Sequence, residues 1–123
     1  MYHVIIVDKE FNNPSFCESF KIFNKKQSGS WILYGIEIED SELEKTIYKI
    51  QQNMKINQPW YAHLYNDDKL IVIFKDKVFN VKPNSSTWQP IIEYGRKLNI
   101  PEKQLDFWPN RFQDEKHYFQ NET

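Results

Sequence analysis

An α+β fold, an antiparallel sheet of four to six strands with two helices packed on one face, is what this sequence predicts, and three observations predict it. The stretch Trp60 to Val81 (WYAHLYNDDKLIVIFKDKVFNV) falls into three short apolar runs separated by Asn66-Asp67-Asp68-Lys69 and Lys75-Asp76-Lys77, the pattern of a meander with tight turns. Trp31 to Glu39 (WILYGIEIE) alternates with period two, so that Ile32, Tyr34, Ile36 and Ile38 share one dry face and Leu33, Gly35, Glu37 and Glu39 the other. Two further stretches, opening near Ser41 and Trp88, repeat their apolar residues at helical spacing. The central order is therefore β-α-β-β-β-α.

The 123 residues fit a single domain, with a strand and loop extension over 1–30, an α+β core over 31–109 and a polar tail over 110–123. Tyr2 to Asp8 is β-branched and reads as a strand, and Asn12-Asn13-Pro14 breaks the segment that follows. Phe16 to Phe23 reads either way: Phe16, Phe20 and Ile22 align at period two, and Phe16, Phe20 and Phe23 at helical spacing. Asn24 to Ser30 (NKKQSGS) is polar with one glycine and reads as a mobile loop.

Ser41-Glu42-Leu43-Glu44 has the form of a capping box, and Leu43, Ile47, Ile50 and Met54 form the apolar stripe of a helix that ends near Lys55. If that stripe packs on the sheet, replacing Ile47 by Ala costs about 2 to 5 kcal/mol. Gln58-Pro59 then delivers the chain to the meander. In its middle strand Leu70, Val72 and Phe74 face one way and Ile71 and Ile73 the other, so both faces need cover. Helices supply one cover; the N-terminal segment, a curled sheet or a second subunit supplies the other.

Thr87 reads as the N-cap of the second helix, with Pro90 in its first turn and Trp88, Ile91, Ile92, Gly95 and Leu98 along one side. A glycine on the buried side costs helix propensity, so Gly95 predicts a close backbone approach to the sheet or to Trp88. Asn99 is placed for a left-handed stop, Pro101 opens a short turn (PEKQL), and Phe107-Trp108-Pro109 forms a hydrophobic clasp. Residues 114–123 read as loosely ordered.

Composition excludes several function classes. No run reaches the roughly 18 apolar residues of a membrane span, and MYHVIIVDKEF lacks the basic start and apolar core of a secretory signal, so a cytoplasmic protein is expected. A single cysteine, Cys17, excludes an internal disulfide and any multi-cysteine zinc site. A net charge of −1 argues against a partner bound through its phosphates, and no cofactor motif is present. Fourteen of the sixteen basic residues are Lys and Ala62 is the sole alanine, a bias expected of AT-rich coding sequence. Aromatic residues make up 16% of the chain, more than a core of this size needs, and surplus aromatics are typical of partner-facing surfaces.

The WYAH strand, the apolar hairpin and STWQPIIEYGRKLNIPEKQLDFWP together resemble a group of small uncharacterised proteins of low-GC bacteria and their phages. In that group a Tyr-Ala-His strand, a Thr-Trp helix start, a Tyr-Gly pair and an Ile-Pro turn leading to Gln-Leu-Asp-Phe recur. The resemblance covers about residues 31–112, implies a shared fold unit with the first 30 residues added to it, and implies no activity.

Among candidate catalytic residues, His63 shares a strand face with Tyr61 and Tyr65, and Asp67 or Asp68 at the next turn could serve as its carboxylate partner for acid–base work. The plainer reading is a packed sheet-face histidine. His3 and His117 lie too far off in sequence to build a metal motif with it, and no metal site is expected. Glu37 and Glu39 share a strand face, a spacing open to two-carboxylate chemistry and equally to solvent. For ligand binding, Arg96 could clamp an anion, as could Arg111, while Gln104 and Asp106 could line a loop or cap the adjacent turn, with Trp88 near them.

The expected function is a non-catalytic binding or interaction module, of bacterial or phage origin, that meets a protein partner or a second copy of itself through a sheet face. The alternative is a small enzyme or ligand-binding protein with a pocket around His63. A weaker alternative is a binder of single-stranded nucleic acid on an aromatic sheet face.

Overall fold

The N-terminal strand β1 (Tyr2–Val7) is the hinge of the architecture. The structure, a computed structural model, describes residues 1–119. β1 pairs antiparallel on one side with β3 (Trp31–Ile38), Tyr2 opposite Ile38 and Val7 opposite Leu33. On its other side it pairs antiparallel with β4 (Ala62–Tyr65), Ile5 opposite His63. The strand β2 (Lys21–Ser28) forms a hairpin with β3, and β5 (Leu70–Phe74) and β6 (Lys77–Val81) continue from β4. The result is one open six-stranded antiparallel sheet in the order β2-β3-β1-β4-β5-β6. The α+β class and the meander are as the sequence predicts. Residues 1–30, in contrast, are no addition to a finished core, because they supply a strand in the sheet interior.

Helix α1 (Leu43–Asn53) connects β3 to β4 across β1, and α2 (Gln89–Lys97) follows β6. The expectation of two helices on one face is corrected here. Ile50 and Met54 pack with Val4, Ile6, Ile36, Leu64, Ile71 and Ile73 on one face of the sheet. Ile91 packs with Ile5, Tyr65, Leu70, Val72 and Phe74 on the other. The reason lies in β5, which is apolar and buried on both sides and so needs a helix on each.

Each helix shares its face with irregular chain. Phe11, Phe16, Cys17 and Phe20 complete the α1 layer, fastened where the Asn12 N–H donates to Asn53 O (3.1 Å) and the Lys55 N–H to Glu10 O (2.9 Å). Leu98, Ile100, Leu105, Phe107, Phe112 and Phe119 complete the α2 layer. The tail therefore departs from its predicted looseness: Phe112–Asp114 forms a 3-10 turn and α3 (Glu115–Tyr118) docks on the sheet, with Asp114 and Phe119 buried. The rest of that expectation, residues 120–123, lies outside the described residues.

Local corrections have local causes. Pro14–Ser19 is a 3-10 helix capped by Asn13, whose Oδ1 accepts from the Ser15 N–H at 3.1 Å. The predicted loop 24–30 is mostly strand β2, turned into β3 by Gly29 (φ 62) and Ser30, a glycine-first hairpin turn. Ahead of α1, Glu42 Oε1 accepts from the Glu39 N–H (3.2 Å), so Ser41 lies inside a 3-10 turn and is not the cap. Trp88, not Thr87, precedes α2, and Thr87 Oγ1 instead donates to the Asn84 carbonyl (2.8 Å). Asn99 is left-handed (φ 64), as expected of a helix stop. A Cβ on Gly95 would stand 2.7 Å from Leu105 Cδ2, so the close approach exists and its partner is Leu105.

Candidate functional site

On the α2 face the cover is incomplete. α2 lies over β5 and β6, and the chain from Ile100 onward crosses towards β1 and leaves a cavity of about 280 Å3 behind it. Ile5 and Val7 of β1, Leu33 of β3 and His63 of β4 form the floor. Trp31, Trp60, Tyr61, Trp108 and Tyr118 form the walls, and Lys103, Gln104 and Asp106 stand at the rim, all three exposed. Strand alternation sets the floor, since Ile5, Val7, Leu33 and His63 point away from the α1 core that holds Val4, Ile6, Tyr34 and Leu64.

The wall segment is held under backbone strain. Phe107 is a bulky residue at φ 49, its ring fully buried against Trp88 (ring centroids 5.1 Å) and Tyr61 (5.2 Å). That anchor lies between two cavity residues, Asp106 and Trp108. Asp106 Oδ1 also accepts from the Trp108 N–H at 3.4 Å, and Tyr61 OH donates to the Gln104 carbonyl. Trp31 and Trp60 meet edge to face, with ring centroids 5.1 Å apart.

His63 is buried, and its Nε2 lies 2.7 Å from the Pro109 carbonyl. A carbonyl only accepts, so Nε2 carries the hydrogen and Nδ1 is the acceptor of the neutral ring. Nδ1 has no partner among the described residues. Burial pushes the His63 pKa from 6.5 down to about 4, against a smaller upward pull from the Pro109 carbonyl. Burial also pushes the Tyr61 and Tyr118 phenols well above their usual value. Near neutral pH these three groups are uncharged.

The sequence-predicted residues divide sharply. Tyr61, His63, Gln104 and Asp106 converge on the cavity. Tyr65 stacks beside His63 (ring centroids 5.9 Å), but its hydroxyl donates to Glu115 Oε2, which also meets His3 Nδ1 at 2.5 Å. Asp67 is not the partner of His63. It turns the β4–β5 hairpin at φ 75, and its Oδ1 accepts from the Phe112 N–H at 2.7 Å, which fastens the C-terminal segment. Trp88 is buried elsewhere in the α2 layer and donates through Nε1 to the Lys82 carbonyl at 2.8 Å.

The remaining candidates lie outside the cavity. Arg96 pairs with Glu102 at 2.8 Å on the surface, and Arg111 donates to the Pro83 carbonyl at 3.1 Å. Glu37 is held by Lys21 at 2.7 Å, which lowers its pKa, and Glu39 belongs to the turn before α1. No group of three or more potential metal ligands occurs among the described residues, and no helix among them is long and apolar enough to cross a membrane.

Sequence reasoning missed most of the wall. Trp31, Trp60 and Trp108 come from three separate places in the chain, and Tyr118 from the segment that read as loose. The one signal that pointed to them was the aromatic surplus. No protein-family model matches the sequence, and neither a curated protein nor a solved structure matches it.

Proposed function

We propose that this chain is a non-catalytic cytoplasmic binding protein that holds a small ligand in the cavity over His63. The observation that carries this reading is the neutrality of the cavity's proton carriers. General acid–base catalysis wants a group that titrates near the working pH, whereas burial moves His63 down and Tyr61 and Tyr118 up, away from it. Aromatic walls with few polar groups are in turn what small-molecule binding sites are made of. The lysine-rich, alanine-poor composition supports a bacterial or phage source.

A second form of the same reading makes the ligand a side chain on a partner protein. Trp31 and Trp108 favour it, because they stand 37% and 43% exposed at the mouth, where a partner surface would meet them. The doubly apolar β5 no longer argues for a dimer, since both of its faces are covered from within the chain.

The chain carries a built-in control for the test. In an 15N-labelled sample its four tryptophans report separately through their indole N–H signals, three from the cavity and Trp88 from outside it. Titration with a set of one- and two-ring aromatic fragments is expected to move the signals of Trp31, Trp60 and Trp108 and leave Trp88 in place. Replacing Leu33 by Trp, which fills the floor, should abolish the response. Fragments that leave all three cavity signals unmoved at millimolar concentration would remove the proposal.

A further inference from the structure

The polar inventory of the cavity narrows what it can hold. Only two of its lining residues are buried, Ile5 and His63, so His63 is the one polar side chain at the bottom. With its hydrogen committed to Pro109, the ring offers an acceptor, Nδ1, and no donor. The charged residues of the rim, Lys103 and Asp106, are of opposite sign and give no net preference for a cation or an anion.

Each ligand class meets these facts differently. An ion would give up hydration against a floor without a countercharge, which is costly. An aliphatic ligand would cover Nδ1 and leave it unpaired, which also costs. A flat ring suits walls of Trp and Tyr, whose faces prefer offset or edge-on aromatic neighbours. A hydrogen on a ring nitrogen would satisfy the acceptor.

We infer that the cavity takes an uncharged planar heterocycle bearing an N–H group, its ring held among Trp31, Trp60 and Trp108 and its hydrogen donated to Nδ1 of His63. This rests on the binding reading above and adds the chemical class of the ligand. It also explains why a histidine stands on a floor otherwise built of Ile5, Val7 and Leu33.

Four probes test it on the unaltered chain, read through the same indole signals. Indole and benzofuran have the same two fused rings and differ in that an oxygen replaces the N–H; phenyltrimethylammonium and benzoate supply the two charges. Indole is expected to bind about tenfold more tightly than benzofuran, the scale of one buried hydrogen bond together with an acceptor left bare, and both more tightly than either ion. In a His63→Phe variant that still folds, the ratio of indole to benzofuran should fall to about one, since Phe keeps the ring and loses the acceptor.

Equal binding of indole and benzofuran with the cavity signals moving would overturn the assigned ligand class and leave the binding reading standing. Tightest binding of phenyltrimethylammonium would also overturn it, in favour of an aromatic cage for cations. If none of the four probes moves Trp31, Trp60 or Trp108, the inference and the binding reading fall together.

Discussion

His63 shows how burial decides what an imidazole can do. Its type and its neighbours Tyr61 and Tyr65 were legible in the sequence, whereas its hydrogen-bond partner, the Pro109 carbonyl 46 residues away, was not. Because its folded pKa of about 4 lies below the unfolded 6.5, the unfolded chain takes up the extra proton between those values, and stability falls as pH falls through that window. His63 alone should account for a loss of about 2 kcal/mol between pH 7 and pH 5, and denaturant unfolding of His63→Phe should lack that share of the slope. Parallel pH profiles for the two proteins would place the acid sensitivity elsewhere. Glu10 behaves in the opposite sense. Burial holds its pKa well above 4.5, so the folded chain keeps a proton that the unfolded one releases, and stability falls as pH rises through the raised value. Glu10→Gln keeps the acceptor for the Val7 N–H (2.7 Å) and removes the titration, so its thermal midpoint should exceed that of the parent at pH 8. A midpoint lowered at pH 8 would show that the carboxyl is held by something stronger.

Within single elements the two helices make contrasting predictions. In α1 Ile50 is fully buried while Ile47 is only half-buried, so Ile50→Ala should cost about 2 to 5 kcal/mol and Ile47→Ala clearly less, with denaturant midpoints as the readout. Equal losses would mean that α1 lies rotated from its described face. In α2 the gain in helix propensity from Gly95→Ala, about 1 kcal/mol, competes with overpacking against Leu105, at about 1 to 3 kcal/mol. The net expectation is a loss, relieved when Leu105→Ala accompanies it. The stripe of α1 and the glycine of α2 were legible because helical spacing and propensity are local properties. The strand β2 was not, because it lies at the sheet edge with every residue exposed or half-exposed and so shows no alternation to read. Its Lys21, Lys25 and Lys26 suit that place, since edge lysines discourage pairing with another chain.

At the scale of the molecule, periodicity revealed that β5 needs two covers and could not say which segments supply them. That choice depends on long-range placement: α1 and residues 8–20 on one face, α2 and residues 98–119 on the other. The cavity was half legible for the same reason, since Tyr61 and His63 lie on one strand while Gln104, Asp106, Trp108 and Tyr118 reach them only through the tertiary path. A chain beginning at Ser30 lacks β1 and β2 and uncovers both edges of β3 and one edge of β4, so it should aggregate on expression. A soluble, cooperatively unfolding Ser30 start would contradict the strand order. The position of β1 also bears on how quickly the protein reaches its fold. The hairpin β2–β3 and the meander β4–β6 join strands that are neighbours in sequence and can zip early, but neither side of the sheet can meet the other until β1 slots between them. That step closes loops with Tyr2 opposite Ile38 and with His3 opposite Tyr65, which makes it the slow one, and until it is done the nascent chain carries two unpaired strand edges at once.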